Sequence, residues 1–329
     1  MSAVPGPSPF YLGIDLGGTN IKSGVVDDDG HVLSFLSLET EAELGPEAGL
    51  DHLAEAGRRA VAASGVSWDQ IAGVGLGSPG TMDLGAGMLL EPPNLPGWDN
   101  LPIRQLLSDR LKKATVLQND GNAAAYGEYW TGAGKGAHSL VMFTLGTGIG
   151  CGIVLDGLIL EGRHSHGAEC GHIIVQMENA RRCFCGAYGH LEAYASATAL
   201  VKRALEALAE DPAPSRLRQL DPETITSRAI AEAAAAGDEL AGRLMRDTAH
   251  YLAVGAVSLM HTIDPDLVLF GGGMINAGQS LLDAIRQDVR RMAFPIPAAR
   301  TRIEFASLGE EAGFVGAAGW ARKVLSRTP

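Results

Sequence analysis

Two stretches of apolar residues interrupted by glycines predict paired β-strands in this chain. Residues 11–30, YLGIDLGGTNIKSGVVDDDG, have the pattern of a strand, a glycine turn, a second strand and an Asp/Gly turn. Residues 142–157, MFTLGTGIGCGIVLDG, repeat this plan. The repeat is weak, but it indicates that the chain has two related halves, each with such a hairpin.

Apolar residues at helical spacing predict several helices between and after the hairpins. The predicted helices cover residues 45–65, 103–113, 193–210, 238–263 and 310–326. Residues 71–78, IAGVGLGS, predict a buried strand, and residues 266–289 predict a strand, a glycine turn and a helix. Because strands alternate with helices, the pattern favours an α/β fold with partly parallel sheets.

The apolar segment 140–160 is long enough to raise the question of a membrane-spanning helix. Its five glycines, two threonines and Asp156 favour instead two buried strands around a tight turn. The N-terminal residues MSAVPGPSPF lack the charged leader and the apolar core of a signal peptide. We therefore expect no membrane contact, and we interpret the N-terminus as a loose tail.

The overall composition is that of an ordinary globular protein of about two domains. The chain has 329 residues, of which 46% are hydrophobic and 19% are charged. Its net charge of -12 argues against nucleic-acid binding, because little cationic charge is available to replace the counterions of phosphates. The four cysteines do not form a disulfide pattern, which favours a reducing cytoplasm, and Cys151 and Cys170 are interpreted as small packing residues.

Three glycine-rich turns are candidates for phosphate binding. The turn DLGGT, residues 15–19, offers backbone N–H groups, the Thr19 hydroxyl and the Asp15 carboxylate, which can hold a magnesium ion or its waters. Residues 146–150 repeat this arrangement, and residues 269–273 follow a predicted strand and open a helix. The glycines of each turn are also explained by the need for a tight chain reversal alone. The presence of two equivalent turns, at residues 15–19 and 146–150, favours a nucleotide site. The turn at residues 269–273 is not a GxGxxG fingerprint, and the P-loop lysine pattern is absent from the sequence.

Cysteine and histidine are concentrated in residues 166–192, HGAECGHIIVQMENARRCFCGAYGHLE. Cys183 and Cys185, with His172 before them and His190 after them, supply the sulfur and imidazole ligands of a four-coordinate zinc site. A catalytic zinc of the deaminase type is not indicated, because the two cysteines are spaced Cys-x-Cys and no proline precedes them. A structural zinc site and a metal-free loop are the remaining alternatives.

A series of motifs along the chain resembles the ROK family of sugar kinases, within the superfamily of actin-like, sugar kinase and Hsp70 ATPases. The motifs are DLGGTN, GSPGTMD, NLPGW, NDGNAAA, TLGTGIG, ECGH, CFCGAYGHLE and LFGGG, in this order. Most are weak singly, whereas ECGH followed by CFCGAYGHLE is specific. The resemblance extends over nearly the whole chain, from about Tyr11 to the last predicted helix.

The resemblance implies an α/β fold of two actin-like, ribonuclease H-like ATPase domains with an interdomain cleft. We expect an N-terminal domain over residues 1–118, on which a C-terminal helix over about 312–329 packs back. The C-terminal domain is expected over residues 119–311 and carries the zinc loop. The expected protein is a cytoplasmic homodimer that binds a small sugar and ATP and has no nucleic-acid or membrane partner.

The resemblance also implies chemical roles for individual residues. On the residues alone, Asn119 and Asp120 form a turn that caps the next helix. The family motif makes Asp120 the general base that accepts the proton of the sugar hydroxyl during phosphoryl transfer. The implied sugar-binding residues are Gly80, Asn94, Asn119, Asp120, Glu169, His172 and Glu192. The implied residues for ATP and its phosphates are Asp15, Gly17, Gly18, Thr19, Lys22, Gly146, Thr147, Gly148, Gly271, Gly272 and Gly273.

The zinc motif of the family is CxCGxxGCxE, and here His190 stands in the place of the third cysteine. Imidazole is a normal zinc ligand, so His172, Cys183, Cys185 and His190 still make a closed four-ligand site. Because no position is open for water, such a zinc is structural and holds the loop with its sugar-binding residues. The exchange of a thiolate for an imidazole leaves the affinity for zinc open.

Together these residues predict an ATP-dependent hexose kinase that also uses Mg²⁺. Glucose is the favoured substrate, because EPPNLPGW and GSPGTMD resemble the glucokinase versions of these motifs. The alternatives are N-acetylhexosamine, mannose or fructose as substrate, polyphosphate as phosphoryl donor, and a sugar-sensing protein without catalysis. Transcriptional repressors of the family carry a helix-turn-helix ahead of the kinase part, whereas about ten residues precede the first predicted strand here.

Overall fold

The structure is a computed structural model that describes residues 9–92 and 95–326. Contacts within the chain group these residues into two compact units. The first unit takes its described residues from 1–136, 152–168 and 307–329, and the second consists of 137–151 and 169–306. Residues 1–8 of the predicted N-terminal tail lie outside the described residues. The domain boundaries predicted from the sequence stay a prediction.

The first sheet is antiparallel on one side and parallel on the other. Its strands are β1 (Phe10–Leu16), β2 (Asn20–Asp27), β3 (Leu36–Glu39), β4 (Ile71–Ser78) and β7 (Thr115–Asn119), in the order β3-β2-β1-β4-β7. β1, β2 and β3 are antiparallel neighbours, whereas β4 runs parallel to β1 and to β7. A separate antiparallel pair consists of β5 (Thr81–Asp83) and β6 (Met88–Glu91).

Helices cover both faces of the first sheet. They are α1 (Pro46–Ser64), α2 (Ile103–Leu111), α3 (Asp120–Trp130) and α10 (Ala312–Leu325). Leu12 and Ile14 of β1 lie against Gly57 of α1, and the intervening Gly13 lies against Phe314 of α10. Since successive strand residues point to opposite faces, α1 and α10 cover opposite faces of the sheet.

Glycines allow α10 to approach its neighbours unusually closely. A Cβ atom on Gly316 would lie 1.6 Å from the carbonyl oxygen of Ala123 in α3. A Cβ atom on Gly75 of β4 would lie 1.8 Å from the carbonyl oxygen of Ala317. Any side chain at these two glycines would push the helix away from α3 and β4. The C-terminal helix is therefore an integral part of the core of the first unit.

The second sheet repeats the strand order of the first. Its strands are β8 (Ser139–Leu145), β9 (Ile149–Leu155), β10 (Leu158–Ile159), β11 (Leu267–Gly271) and β12 (Arg302–Phe305), in the order β10-β9-β8-β11-β12. β10 is antiparallel to β9, whereas β11 is parallel to β8 and to β12. The equivalent orders agree with the hairpin repeat in the sequence.

The helices of the second unit are α4 (Glu192–Ala195), α5 (Ala197–Glu210), α6 (Ser227–Ala235), α7 (Glu239–Ile263), α8 (Gln279–Met292) and α9 (Pro295–Arg300). The long helix α7 packs against α5, α6 and α8. Asp238 caps it by accepting a hydrogen bond from the N–H of Ala241. Short 3₁₀ helices cover Ala42–Leu44, Trp68–Gln70, Cys170–His172, Arg216–Gln219, Pro222–Thr224, Gly273–Ala277 and Gly309–Glu311.

The predicted α/β class with partly parallel sheets is confirmed. The apolar segment 140–160 forms strands, and within residues 9–92 and 95–326 no helix is long and apolar enough to cross a membrane. The predicted helix over 193–210 was wrong in one respect, because it is interrupted at Ser196. The Ser196 hydroxyl accepts the N–H of Ala199, so this residue ends α4 and caps α5.

Candidate active site

The N-terminus of α3 presents Asn119 and Asp120 directly after a buried strand. Asn119 ends β7, and its side-chain oxygen accepts the backbone N–H of Asn122 at 3.2 Å. Asp120 is the first residue of α3, is exposed, and accepts the N–H of Gly121 at 2.8 Å. The fold therefore places a solvent-accessible carboxylate at the carboxyl end of a parallel strand, which is where α/β sheets bind their ligands.

A buried glutamine holds this helix start in place. Gln118 is 1% exposed, and its side-chain oxygen accepts the N–H of Asn119 at 2.8 Å and the amide of Asn122 at 3.2 Å. Its amide nitrogen donates to Glu161 at 2.8 Å. Sequence reasoning missed Gln118 and Glu161, because their partners are set by tertiary structure. The network fixes the backbone that carries Asp120.

Asp15 belongs to the same site of the first unit. It lies near the end of β1, opposite Lys22 in the antiparallel register. Burial raises the pKa of Asp15 to about 7, the charge of Asp120 adds to this rise, and Lys22 opposes it. A Cβ atom on Gly313 would lie 2.2 Å from the Asp15 carboxylate, so glycine leaves the space that this group occupies. Two neighbouring carboxylates form an oxygen donor set that suits a hard divalent cation.

The glycine turn after β1 begins two residues after Asp15. The N–H of Gly17 donates to the carbonyl oxygen of Asn20 at 2.9 Å, which closes the turn over residues 17–19. Gly18 and Thr19 are exposed and accessible to a ligand. Lys22 forms an ion pair with Glu310 at 3.5 Å. A backbone hydrogen bond therefore orders the turn, and the exposed Gly18 and Thr19 can donate hydrogen bonds to a ligand.

Two predicted sugar-binding residues of the first unit remain. Gly80 has a φ of +89°, and a Cβ atom there would lie 2.5 Å from Pro92, so glycine is required on both counts. Asn94, the other predicted residue, lies outside the described residues. The structure therefore gives a conformational reason for Gly80 and no position for Asn94.

In the second unit, Glu192 reaches the glycine turn after β8. The backbone N–H of Ile149 donates to its carboxylate at 2.9 Å. A Cβ atom on Gly148 would lie 2.4 Å from the same carboxylate, so this turn needs glycine to admit Glu192. The neighbouring Thr147 is exposed, and the carbonyl oxygen of Gly146 accepts the N–H of Ala197 at the start of α5.

The four predicted zinc ligands of the second unit lie together. The ligand atoms of His172, Cys183, Cys185 and His190 all lie within 4.8 Å of one another. The two Nδ1 atoms of the histidines are 3.2 Å apart. Cys183 Sγ lies 3.7 Å from His172 Nδ1, and Cys185 Sγ lies 3.3 Å from His190 Nδ1. Ligand atoms around a tetrahedral zinc are separated by about 3.3–3.8 Å, so the cluster can hold such an ion.

The pKa shifts within the cluster favour metal binding at His190 and oppose it at Cys183. Burial, together with the proximity of His172, lowers the pKa of His190, which keeps this imidazole in its neutral, metal-binding form. Burial raises the pKa of the Cys183 thiol to about 12, and the thiol donates to Glu192 at 3.5 Å. A cation in the cluster would favour the thiolate instead. Glu192 therefore contacts both the cluster and the glycine turn.

The remaining predicted residues of the second unit are Glu169 and the glycines after β11. Glu169 is exposed and directly precedes the 3₁₀ helix with His172. Gly272 has a φ of +83°, and a Cβ atom there would lie 2.5 Å from the carbonyl oxygen of Leu145, so the turn packs tightly against β8. Gly273 then opens a 3₁₀ helix.

A cavity of about 410 Å³ lies beside Gly273. Its polar lining includes Arg228 and Glu232 of α6 and Asn276 of the following 3₁₀ helix. Sequence reasoning missed these residues, because they come from elements that are distant in sequence and carry no motif. The volume is in the range of small-molecule and cofactor pockets.

The sheets and the glycine turns at their strand ends define an α/β protein of the actin-like ATPase class. The chain belongs to the ROK family, whose model matches residues 11–324. The glucokinase of Thermotoga maritima is 36% identical over 314 residues, which cover 95% of this chain and 97% of that protein. The predicted family and fold are therefore confirmed.

Two solved structures share this fold over nearly the whole chain. The ROK hexokinase from Thermus thermophilus has a TM-score of 0.83 and 35% identity, covering 96% of this chain and 99% of that chain. The ROK family glucokinase from Streptomyces griseus, in complex with glucose and AMPPNP, has a TM-score of 0.78 and 34% identity, covering 95% of this chain and 99% of that chain.

Proposed function

We propose that the protein is an ATP-dependent sugar kinase that converts glucose to glucose 6-phosphate. The observation that carries this proposal is the exposed carboxylate of Asp120, held at the first turn of α3 by the Gln118 network. Family membership and the similarity to glucokinases support the choice of reaction. The glucose and AMPPNP bound by the Streptomyces griseus protein support the choice of substrates.

Asp120 acts as the general base. The glucose 6-hydroxyl donates its proton to the carboxylate while its oxygen forms a bond with the γ-phosphorus of ATP. The bond between the γ-phosphorus and the bridging oxygen breaks, and ADP leaves. An exposed carboxylate suits this role, because it is accessible to the substrate and its backbone is fixed.

Asp15 is the residue of the first unit that would hold Mg²⁺ or its waters. When bound, Mg²⁺ supplies positive charge that offsets the developing charge on the transferred phosphoryl group. The raised pKa of Asp15 fits such a site, since a nearby cation would stabilise its ionised form. Gly17, Gly18, Thr19 and Lys22 would contribute further donors to the phosphates.

In the second unit, the nucleotide base would occupy the cavity beside Gly273. The lining from Ser227, Arg228 and Glu232 offers polar groups to the base and ribose, while Leu200 and Met274 offer apolar contact. Gly146, Thr147, Gly148, Gly271 and Gly272 would present backbone donors to the phosphates. This assignment uses the cavity and the two glycine turns of one unit.

Within the first unit, the proposed sugar-binding residues are Gly80, Asn94 and Asn119. Within the second unit, they are Glu169, His172 and Glu192. Carboxylates, amides and imidazole bind hydroxyl groups with defined direction, which suits a hexose. The backbone N–H of Ile149 donates to one oxygen of the Glu192 carboxylate and holds it in place. A fixed carboxylate can distinguish sugars by the orientation of one hydroxyl.

We also propose that His172, Cys183, Cys185 and His190 bind one structural zinc ion. The ligand separations and the closed set of four donors support this assignment. Cytoplasmic location and a homodimeric state are further proposals from the family resemblance. Light scattering of the purified protein would test the homodimer directly.

The test is release of ADP from MgATP with glucose, mannose, fructose, N-acetylglucosamine or N-acetylmannosamine. We expect strong turnover with glucose and a decrease in kcat of about 10²-fold or more in Asp120→Asn, because the proton loses its acceptor. The KM for glucose should change little. Asp99→Asn, which alters another exposed carboxylate of the first unit, is the matched control and should retain full activity.

Two results would contradict this assignment. If Asp120→Asn lost its affinity for glucose as well as its kcat, Asp120 would be a sugar-binding residue rather than the base. Absence of turnover with every sugar would first require polyphosphate to be tested as the donor. If that donor also gave no turnover, the proposed kinase activity would be wrong.

A further inference from the structure

A second polar cavity of the second unit lies outside all the sites assigned above. It has a volume of about 360 Å³ and is lined by Arg181, Tyr194, Arg203, Asp247, His250 and Tyr251. These residues come from the loop before Cys183 and from α4, α5 and α7. The cavity brings two guanidinium groups, one imidazole and two phenol rings together around a single carboxylate.

Arg203 of α5 is a buried cation with incomplete neutralisation. It is 7% exposed, and its Nη2 atom donates to the carbonyl oxygen of Leu244 at 3.4 Å and to the hydroxyl of Thr248. The nearest carboxylate is that of Asp247, 3.9 Å from Nη1. Within the described part of the chain, its Nε atom has no hydrogen-bond partner. Because this Nε atom is itself buried, an anion in the cavity would be bound through the Nη atoms, and the carboxylate beside Nη1 lies as far as 3.9 Å away.

The second guanidinium enters the cavity from a different segment. Arg181 pairs with Glu206, and its backbone N–H donates to the Tyr194 hydroxyl at 2.7 Å. The Tyr194 and Tyr251 rings lie with their centroids 4.5 Å apart. The phenol rings therefore form one wall of the cavity, and Arg181 is fixed at its edge.

His250 adds a further donor to the same wall. Its Nδ1 atom lies 3.1 Å from Asp288, which leaves the other ring nitrogen for a ligand. Asp247 is 63% exposed in its side chain and lines the cavity as its single carboxylate. Among the six lining residues two guanidinium groups accompany one carboxylate, whereas Glu206 and Asp288 pair with Arg181 and His250 from outside the lining. The exposed Asp247 can rotate into solvent when an anion enters.

We propose that this cavity binds a small phosphomonoester of about the size of a hexose phosphate. Two guanidinium groups on separate elements, an imidazole and phenol hydroxyls suit a tetrahedral dianion with three terminal oxygens. The tyrosine rings offer an apolar surface to the organic part of the ester. The volume exceeds that needed for inorganic phosphate alone and is in the range of small-molecule pockets.

The cavity and the Cys/His cluster share two segments of chain. Arg181 is two residues before Cys183, and Tyr194 is two residues after Glu192. The binding site is nevertheless distinct from the proposed kinase site, because none of its six lining residues contributes to that site. The proposal therefore goes beyond the proposed function and does not depend on it.

The test is isothermal titration calorimetry of the full-length protein, with glucose 6-phosphate and with inorganic phosphate as separate ligands. Saturating glucose and AMPPNP are included, so that the proposed kinase site is occupied. We expect glucose 6-phosphate to bind. Asp247→Asn should tighten this binding about fivefold, because it removes the carboxylate that competes for Arg203. Arg203→Lys should weaken it about tenfold, because an ammonium cannot make the bidentate contact.

The matched control is Asp283→Asn, which removes an exposed carboxylate paired with Arg286 on α8 and should leave the affinity unchanged. Thermal melting verifies that each variant is folded. Failure of Arg203→Lys to fold leaves Asp247→Asn as the decisive variant. Absence of glucose 6-phosphate binding, or an affinity that Asp247→Asn does not alter, would overturn the proposal. Binding of inorganic phosphate without binding of the ester would overturn it as well.

Discussion

Asp15 shows how the site of the first unit is built at the expense of local stability. Its carboxylate lies against Gly313 and in the electrostatic field of Asp120. Burial is the largest cause of its raised pKa, and Lys22 compensates only in part. Carboxylates that are held near one another without a cation are poised to bind one.

Replacement of Asp15 by asparagine should stabilise the ligand-free protein at neutral and alkaline pH. In the folded protein the pKa is about 7, whereas an unfolded aspartate titrates near 3.8, so stability is lost as the pH rises between these values. Asp15→Asn does not titrate. Its melting temperature should therefore equal that of the wild type near pH 4 and exceed it at pH 8, measured with a chelator present.

Asp27→Asn is the control of opposite sign. Although burial opposes the effect, hydrogen bonds from His31 and Asp29 lower the pKa of Asp27. Its carboxylate therefore stabilises the fold above its ordinary pKa, and this contribution is lost as the pH falls. Asp27→Asn should melt below the wild type at pH 8. A higher melting temperature for the wild type than for Asp15→Asn at pH 8 would show that ionisation of Asp15 does not destabilise the folded protein.

Among individual residues, the sequence predicts those that belong to a recognisable motif. It does not predict those whose partners are brought together only by the tertiary structure. The Cys/His spacing was sufficient to predict that the four side chains lie together. Gln118 and Glu161 are separated by 43 residues, so nothing local indicates their hydrogen bond. The functional roles of the predicted site residues stay predictions.

At the scale of elements, the loop between the 3₁₀ helix at Cys170–His172 and α4 is unusual. It has no helix or strand of its own, and two isolated bridges join Ile174 to His190 and Arg182 to Tyr188. It also exposes large apolar side chains, with Met177 at 89% and Phe184 at 91%. Such a segment gains little stability from apolar burial, so the Cys/His cluster is its main fixed point.

Loss of the proposed zinc ion should therefore loosen this loop and leave the sheets intact. We expect about one zinc ion per chain by mass spectrometry of the purified protein, and loss of most of it in Cys185→Ser. The loop in that variant should be cut by protease at several-fold higher rate. His31→Ala, which removes an exposed histidine outside the cluster, should keep the zinc. Unchanged zinc content in Cys185→Ser would exclude this cysteine as a ligand.

Element types followed from periodicity, whereas interruptions and very short strands did not. Long helices such as α1 and α7 have many periodic positions, so their existence was predictable. Ser196 fits a continuous helical pattern, and only its cap to Ala199 shows that the helix restarts there. The two-residue strand β10 is too short to show a period and is defined by its pairing with β9.

At the scale of the whole molecule, the chain builds its first unit from three separate segments. The carboxylate of Glu128 in α3 joins the first segment to the last. It is fully buried and accepts the N–H groups of Ala133, Ser307 and Leu308 at 2.7–2.8 Å, as well as the Ser307 hydroxyl at 3.1 Å. This long-range connection is invisible in the sequence, where Glu128 has the appearance of a surface residue of a helix.

Glu128→Gln should therefore destabilise the first unit strongly. The amide has one acceptor oxygen in place of two. With this oxygen toward Ser307 and Leu308, its nitrogen would face the N–H of Ala133, which then has no acceptor. A buried donor left without a partner costs about 1–3 kcal/mol, so we expect a loss of about this size in urea unfolding. Glu310→Gln is the control, because its side chain is 76% exposed and its ion pair with Lys22 should contribute less than about 1 kcal/mol. Equal effects of the two substitutions would mean that the first unit does not depend on this carboxylate to join its segments.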